Sequence, residues 1–271
     1  FQAHHPTAYG VDRTPGANAI RQPLENLREA GSLYGGIIYQ KAPIVMKQLE
    51  TLIGETTLRD GLREYLRRHQ FANATWPDLI GILDSLSAED LRYWSQVWVE
   101  EPGRPTITAA VQGDSLVLTQ RDTWPRALQW QQRTRVALGV GDSVVFVDAQ
   151  LRDAVTRVAL PAAVRAPQFI LAGVDGVSYA RFVLSSEYLP GLLARVQSLP
   201  TPTARAVAWQ TLEEEMYDGR LAPRALLDAA LRAVEVEREE LIVAQLLGVV
   251  RGVYWRFLNA AERASVAPAV E

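Results

Sequence analysis

Trp98-Val99-Glu100-Glu101-Pro102-Gly103-Arg104-Pro105 divides this chain into two kinds of sequence. Before it, from Pro23 to about Glu101, apolar residues recur at helical spacing. After it, they alternate with period two. Two prolines and a glycine within four residues cannot continue a helix, so the punctuation marks an architectural break.

Downstream, Thr106-Ile107-Thr108-Ala109-Ala110-Val111 and Leu116-Val117-Leu118-Thr119 open a series of short β-rich runs, which continues at 128–138, 144–147, 154–160, 169–172 and 180–184. Turn residues separate them at Gly113-Asp114, at 139–142 and at Asp175-Gly176; the Gly139-Val140-Gly141 portion is a hairpin signal without the features of a nucleotide-binding turn. About seven short, regularly spaced strands predict an antiparallel β-sandwich. Helical spacing returns from Ser186, with successive helices expected at 189–196, 203–217, 223–234, 237–257 and 260–266.

Upstream, Ile37, Ile38, Val45, Met46, Leu49, Leu52 and Ile53 trace one face of a helix ending at Gly54, with Pro43 confined to its first turn. Leu24, Leu27 and Ala30 before Gly31 suggest a short capped helix. Leu58, Leu62, Tyr65 and Leu66 form an apolar side on residues 57–68. Thr75-Trp76-Pro77-Asp78 and Ser87-Ala88-Glu89-Asp90 read as helix starts, the second followed by a buried stripe of Leu91, Trp94, Val97 and Trp98. Residues 1–23 read as irregular, packing only against something else.

The composition narrows the function classes. With 48% hydrophobic residues over 271, the chain can fill two or three small cores. A net charge of −3 with both signs interspersed predicts neither a nucleic-acid nor an anionic-membrane partner. There is no cysteine, which removes disulfides and thiolate metal sites. No apolar run approaches the roughly 20 residues of a membrane span. A first residue of Phe, with no leader pattern after it, suggests a piece of a longer protein and leaves localisation unread.

Several motifs together resemble one family. The most specific is the Trp-x-x-x-Pro-Gly-x-Pro of 98–105; Tyr39-Gln40-Lys41 within 34–41 is similar to that family's Tyr-x-Lys-Gly element, Arg21-Gln22-Pro23 to its lead-in, Thr75-Trp76-Pro77-Asp78-Leu79 to a helix start, and Asp175-Gly176-Val177-Ser178-Tyr179-Ala180-Arg181-Phe182 to the strand closing its β-sandwich. The family is the zinc aminopeptidases of the aminopeptidase N type, which are gluzincins. The chain departs from it at Lys41-Ala42-Pro43, where the family has Lys-Gly-Ala. It also contains no His-Glu-x-x-His.

The resemblance implies a multidomain α and β protein. Residues 1–102 would be the helical end of a thermolysin-like catalytic domain, 103–185 an antiparallel β-sandwich, and 186–271 the start of an α-helical array. It implies a zinc-dependent parent that removes N-terminal residues from peptide substrates, and a fragment that by itself holds no zinc and is inactive. A non-catalytic scaffold of the same architecture is the alternative.

Tyr39 is the one catalytic residue the resemblance carries over, as donor to the oxyanion formed on the scissile carbonyl. A phenol with a pKa near 10 stays protonated at neutral pH and can donate without carrying charge. No metal-ligating residue is expected among His4, His5 and His69, which read as solvent-exposed or loop histidines. Lys41 could pair with an acidic group near the site but reads first as a surface lysine of its helix, and Glu213-Glu214-Glu215 and 235–240 read as solvated helix faces. Arg181 reads equally as an edge-strand arginine and as one that orients the sandwich against the body before it. Trp94 and Trp98 read as core.

Overall fold

A computed structural model describes residues 4–24, 26, 28, 31, 35–162, 164 and 166–270. The chain opens with α1 (His5–Asp12), then, after the segment that contains Leu27 and Ala30 of the expected short helix, which lie outside the described residues, a π-helical turn (Ile37–Lys41) runs into α2 (Ala42–Ile53). α3 (Glu55–Arg68), α4 (Trp76–Ser85) and α5 (Leu91–Ser95) follow, and α5 widens into a second π-helical turn (Gln96–Glu100).

The helix starts have local causes. In α4 the Thr75 amide donates to the Asp78 carboxylate at 2.8 Å, closing a capping box ahead of Pro77. α5 begins later than the Ser87-Ala88-Glu89-Asp90 signal suggests, because Asp90 itself is the cap and accepts from the Tyr93 amide at 2.9 Å. The reading of 1–23 as wholly irregular is corrected by α1, whose Pro6 occupies its first turn. Its eight residues are too few to display a periodicity, and Gly10 interrupts what there is.

Among the described residues seven strands make two sheets, one of four strands in the order β5-β2-β1-β7 and one of three in the order β4-β3-β6. The strands are β1 (Thr106–Gln112), β2 (Ser115–Arg121), β3 (Gln132–Val140), β4 (Ser143–Leu151), β5 (Val155–Ala159), β6 (Phe169–Ala172) and β7 (Arg181–Val183). Gly113 and Gly141, at φ 62° and 54°, open two-residue hairpin loops between β1 and β2 and between β3 and β4. Every pairing is antiparallel except one: β7 lies parallel to β1, Thr106 beside Arg181. This short last strand enters from a distant part of the chain and borders the first.

The helical array follows as α6 (Leu189–Arg195), α7 (Pro202–Tyr217), α8 (Pro223–Val236), α9 (Glu240–Arg256) and α10 (Ala260–Val270). Among the described residues two hydrophobic cores result. One joins α1, α2, α4, α5 and the second π turn, and receives Trp130 and Tyr179 from the β region. The other runs without interruption from the sheets into α6 through α10. Trp94 and Trp98 are core residues, and Trp98 meets Trp130 edge-on at 4.9 Å between centroids. Such a pair contributes about 0.5–1.5 kcal/mol beyond its buried area. On α3 the apolar side meets the core only in part: Leu58 and Tyr65 pack against it, Leu62 and Leu66 are exposed, and Gly61 is buried where its lack of a side chain leaves room for Leu83 of α4.

Candidate active site

Tyr39 lies in the first π turn with 55% of its surface exposed, and Lys41, two residues on, is fully buried. Residues i and i+2 point to opposite sides of a helical turn, since about 100° separates successive residues. The Tyr-x-Lys spacing therefore sends one side chain outward and the other into the core. The backbone here is widened: the Ala42 amide bonds to the Ile37 carbonyl, five residues back. Pro43, at the first turn of α2, has no N–H with which to close the ordinary bond to the Tyr39 carbonyl, so the ladder changes register just before it. Widened turns of this kind occur disproportionately at functional sites.

The reading of Lys41 as a surface residue is corrected. Its ammonium lies 3.0 Å from Oδ2 of Asp12, which ends α1, and donates to the Gly103 carbonyl. It also stands over the rings of Tyr179 and Trp130, at 5.4 and 5.7 Å. The Tyr179 hydroxyl donates to the same Asp12 oxygen at 2.9 Å. Burial draws the Lys41 pKa below its ordinary value, with the charge of Asp12 opposing. Burial also pushes the Tyr179 phenol well above its usual range.

Gly103 is the glycine of the Trp-x-x-x-Pro-Gly-x-Pro segment, so Lys41 ties one motif to the other. Its φ of 89° suits glycine, and a Cβ there would stand 2.2 Å from the Trp124 ring. Arg126 secures the same segment, donating to the Pro102 carbonyl at 3.1 Å and to Glu101 at 3.0 Å. Arg104, the variable position of the motif, is buried; its guanidinium lies 3.9 Å from the Tyr9 ring centroid and donates to Glu214 of α7. Arg13, just past α1, donates to the other oxygen of Glu214.

The acidic run at 213–215 is therefore no solvated face. Glu214 and Glu215 are buried, and Glu215 accepts from the Leu184 amide at 2.9 Å and from Arg220 at 2.7 Å. Glu237, in the second charged run, is likewise buried and grips Arg205 of α7 through both oxygens, at 2.8 and 3.0 Å. Arg181 sits on edge strand β7 and pairs with Asp218 at the end of α7, 3.0 Å away, so it ties the sandwich to the helical array after it rather than to the body before it.

The histidines do not converge. His4 Nδ1 lies 2.6 Å from Oε1 of Gln40, beside Tyr39. His5 is buried rather than exposed, its ring set against Tyr9 and Tyr179 with Nε2 3.2 Å from the Ser178 carbonyl. His69 packs on Tyr65 at the end of α3. Among the described residues no three His, Asp or Glu side chains stand together as metal donors, and the donor set of a zinc site is not assembled by them. Nor is any helix among them long and apolar enough to cross a membrane.

Comparison with known proteins places these motifs in company. Residues 2–98 match the Peptidase family M1 domain. The chain is 27% identical over 261 residues to an "Aminopeptidase N" of Streptomyces lividans, a match covering 88% of this chain and 30% of that protein. It is 32% identical over 115 residues to "Aminopeptidase N" of Lactococcus lactis subsp. cremoris strain MG1363, covering 42% of this chain and 14% of that one. A "Probable aminopeptidase 1" of Sulfurisphaera tokodaii is 28% identical over 140 residues, with coverages of 52% and 16%. The chain thus spans less than a third of the length of each of these relatives.

Proposed function

We propose that this chain, an aminopeptidase N-type gluzincin sequence by its kinship, forms the oxyanion-stabilising part of a metalloaminopeptidase whose Tyr39 donates a hydrogen bond to the carbonyl oxygen as it gains charge. The observation that carries the reading is the placement of Tyr39: outward on a widened helical turn, two residues before a lysine locked in the core. A neutral donor on a fixed turn contributes most where negative charge develops during reaction, because its orientation needs no further ordering at that moment. Peptides with a free N-terminus are the proposed substrates.

The zinc expected of such an enzyme has no donor set among the described residues, and the role assigned to this chain ends at the phenol. Residues 1–271 alone are therefore proposed to be inactive, with the zinc-binding residues supplied from outside them. We also propose a three-part division at 102/103 and 185/186. The change from helix to strand before Thr106 and from strand to helix before Leu189 supports it.

The test is Tyr39→Phe in the whole enzyme. The expected outcome is a kcat lower by about 10²–10³-fold with unchanged zinc content. Full turnover by that variant would remove the assignment, and a whole protein without stoichiometric zinc would favour a scaffold instead.

A further inference from the structure

We infer that Lys41 is a positioning residue for Tyr39, acting through the buried clamp that it forms with Asp12 and the Gly103 carbonyl. The inference rests on the reading of Tyr39 as the oxyanion donor.

A buried ion pair is a weak source of stability, because desolvating two charges offsets their attraction, and an apolar side chain of similar size would fill the same space. What the pair adds is direction. The Lys41 ammonium is held from two sides, by Asp12 at 3.0 Å and by the Gly103 carbonyl, and Asp12 is itself fixed by the Tyr179 hydroxyl at 2.9 Å. Those three partners come from the end of α1, from the segment after the second π turn, and from the chain just before β7. An apolar replacement could slide or rotate among the surrounding rings, whereas a hydrogen-bonded ammonium cannot without leaving an acceptor unmet.

The two residues share one short turn. Lys41 and Tyr39 project to opposite sides of it, so a rotation that releases Lys41 inward moves the phenol outside. The turn also carries an extra residue relative to an α-helix, and such a turn persists only when its surroundings hold it. His4 adds a second, weaker hold through Gln40, 2.6 Å away, on the residue between them.

The experiment uses the whole zinc-loaded enzyme and an amino-acid 4-nitroanilide. Lys41→Met is expected to lower kcat by about 10²-fold, as a displacement of about 1 Å at a reacting group does, with KM nearly unchanged. In the Tyr39→Phe background the same substitution is expected to cause no further loss, because a residue that acts through the phenol has nothing left to position. Losses that multiply in the double variant would overturn the inference while leaving Tyr39 its role. Normal turnover by Lys41→Met beside a slow Tyr39→Phe would do the same.

Should Lys41→Met not fold, Tyr179→Phe removes one hydroxyl from the clamp and decides the matter. It is expected to slow the enzyme when Tyr39 is present and to have no effect in the Tyr39→Phe background; equal losses in both overturn the inference. Wild-type kcat in Tyr39→Phe alone identifies the oxyanion assignment as the part that fails.

Discussion

The guanidinium of Arg104 donates to the carboxylate of Glu214 across 110 residues of sequence, and both groups are buried. Arg13 takes the second oxygen of the same carboxylate, so one glutamate of α7 anchors the end of α1 and the proline-rich segment before β1. Removing its charge leaves two guanidinium groups competing for a neutral amide. Glu214→Gln is expected to destabilise the fold by about 3–5 kcal/mol in urea unfolding. Asp60→Asn, which breaks pairs with Arg59 and Arg63 on the exposed face of α3, should leave the midpoint where it was.

Gly103→Ala meets two obstacles together, a φ of 89° and the Trp124 ring 2.2 Å from the new Cβ. A loss of about 1–3 kcal/mol in thermal or chemical unfolding is the expected result. Gly113→Ala is the control: its φ of 62° is also left-handed, but nothing lies within 4 Å. It should cost less, about 1–2 kcal/mol. Equal effects at the two positions would show that the tryptophan moves aside freely.

In α6 two effects of one methyl group oppose each other. Replacing a helical glycine by alanine favours the helix by about 1 kcal/mol. At Gly191, however, the added carbon would lie 2.1 Å from the Gln168 carbonyl oxygen, which is backbone and cannot rotate away. Overpacking of this kind costs about 1–3 kcal/mol, so Gly191→Ala should lower the melting temperature. A rise would mean that α6 shifts from its place beside β6 at little cost.

Burial raises the Glu237 pKa, but the Arg205 fork and the backbone amides of Arg238 and Glu239 outweigh it and hold the carboxyl at about 2, against 4.5 for an ordinary glutamate. A depressed folded-state pKa contributes stability that is complete above the unfolded value and is lost as pH falls through the folded one. Between pH 4.5 and 2 the protein should therefore lose stability, and Glu237→Gln should flatten that part of the curve. An identical acid limb in the variant would show that the fork is not formed in solution.

The strands and the helical array were legible because their signals are local. Hairpin glycines, alternating apolar residues and prolines at helix starts each sit within a few residues of what they specify. Burial of charge was not legible in the same way. Lys41, Glu214 and Glu237 are charged residues on helices or helical turns, or just before one, and the partners that make their burial tolerable lie 29, 110 and 32 residues away, at Asp12, Arg104 and Arg205. One signal was present at 213–215. Three successive helical residues span about 200° of the circumference, so three glutamates in a row cannot all share a solvated face. For α1 the sequence is simply too short to show a period, and its place is set by Tyr9 and Asp12, which meet Arg104, Lys41 and Tyr179. Tyr39 could be singled out by its motif, whereas the clamp behind it depends on which segments meet in space.

The long separations also bear on the order in which the molecule can be completed as it is made. A chain growing from its N-terminus presents Arg104 when its counter-charge is still 110 residues from being synthesised, and presents β1 with one edge bare until β7 arrives at Arg181. Until then the guanidinium has only water to satisfy it, and the core around Tyr9 cannot close over an unpaired charge. The proline-rich segment, which carries the carbonyl that receives Lys41, therefore lacks one of its buried anchors until α7 has emerged.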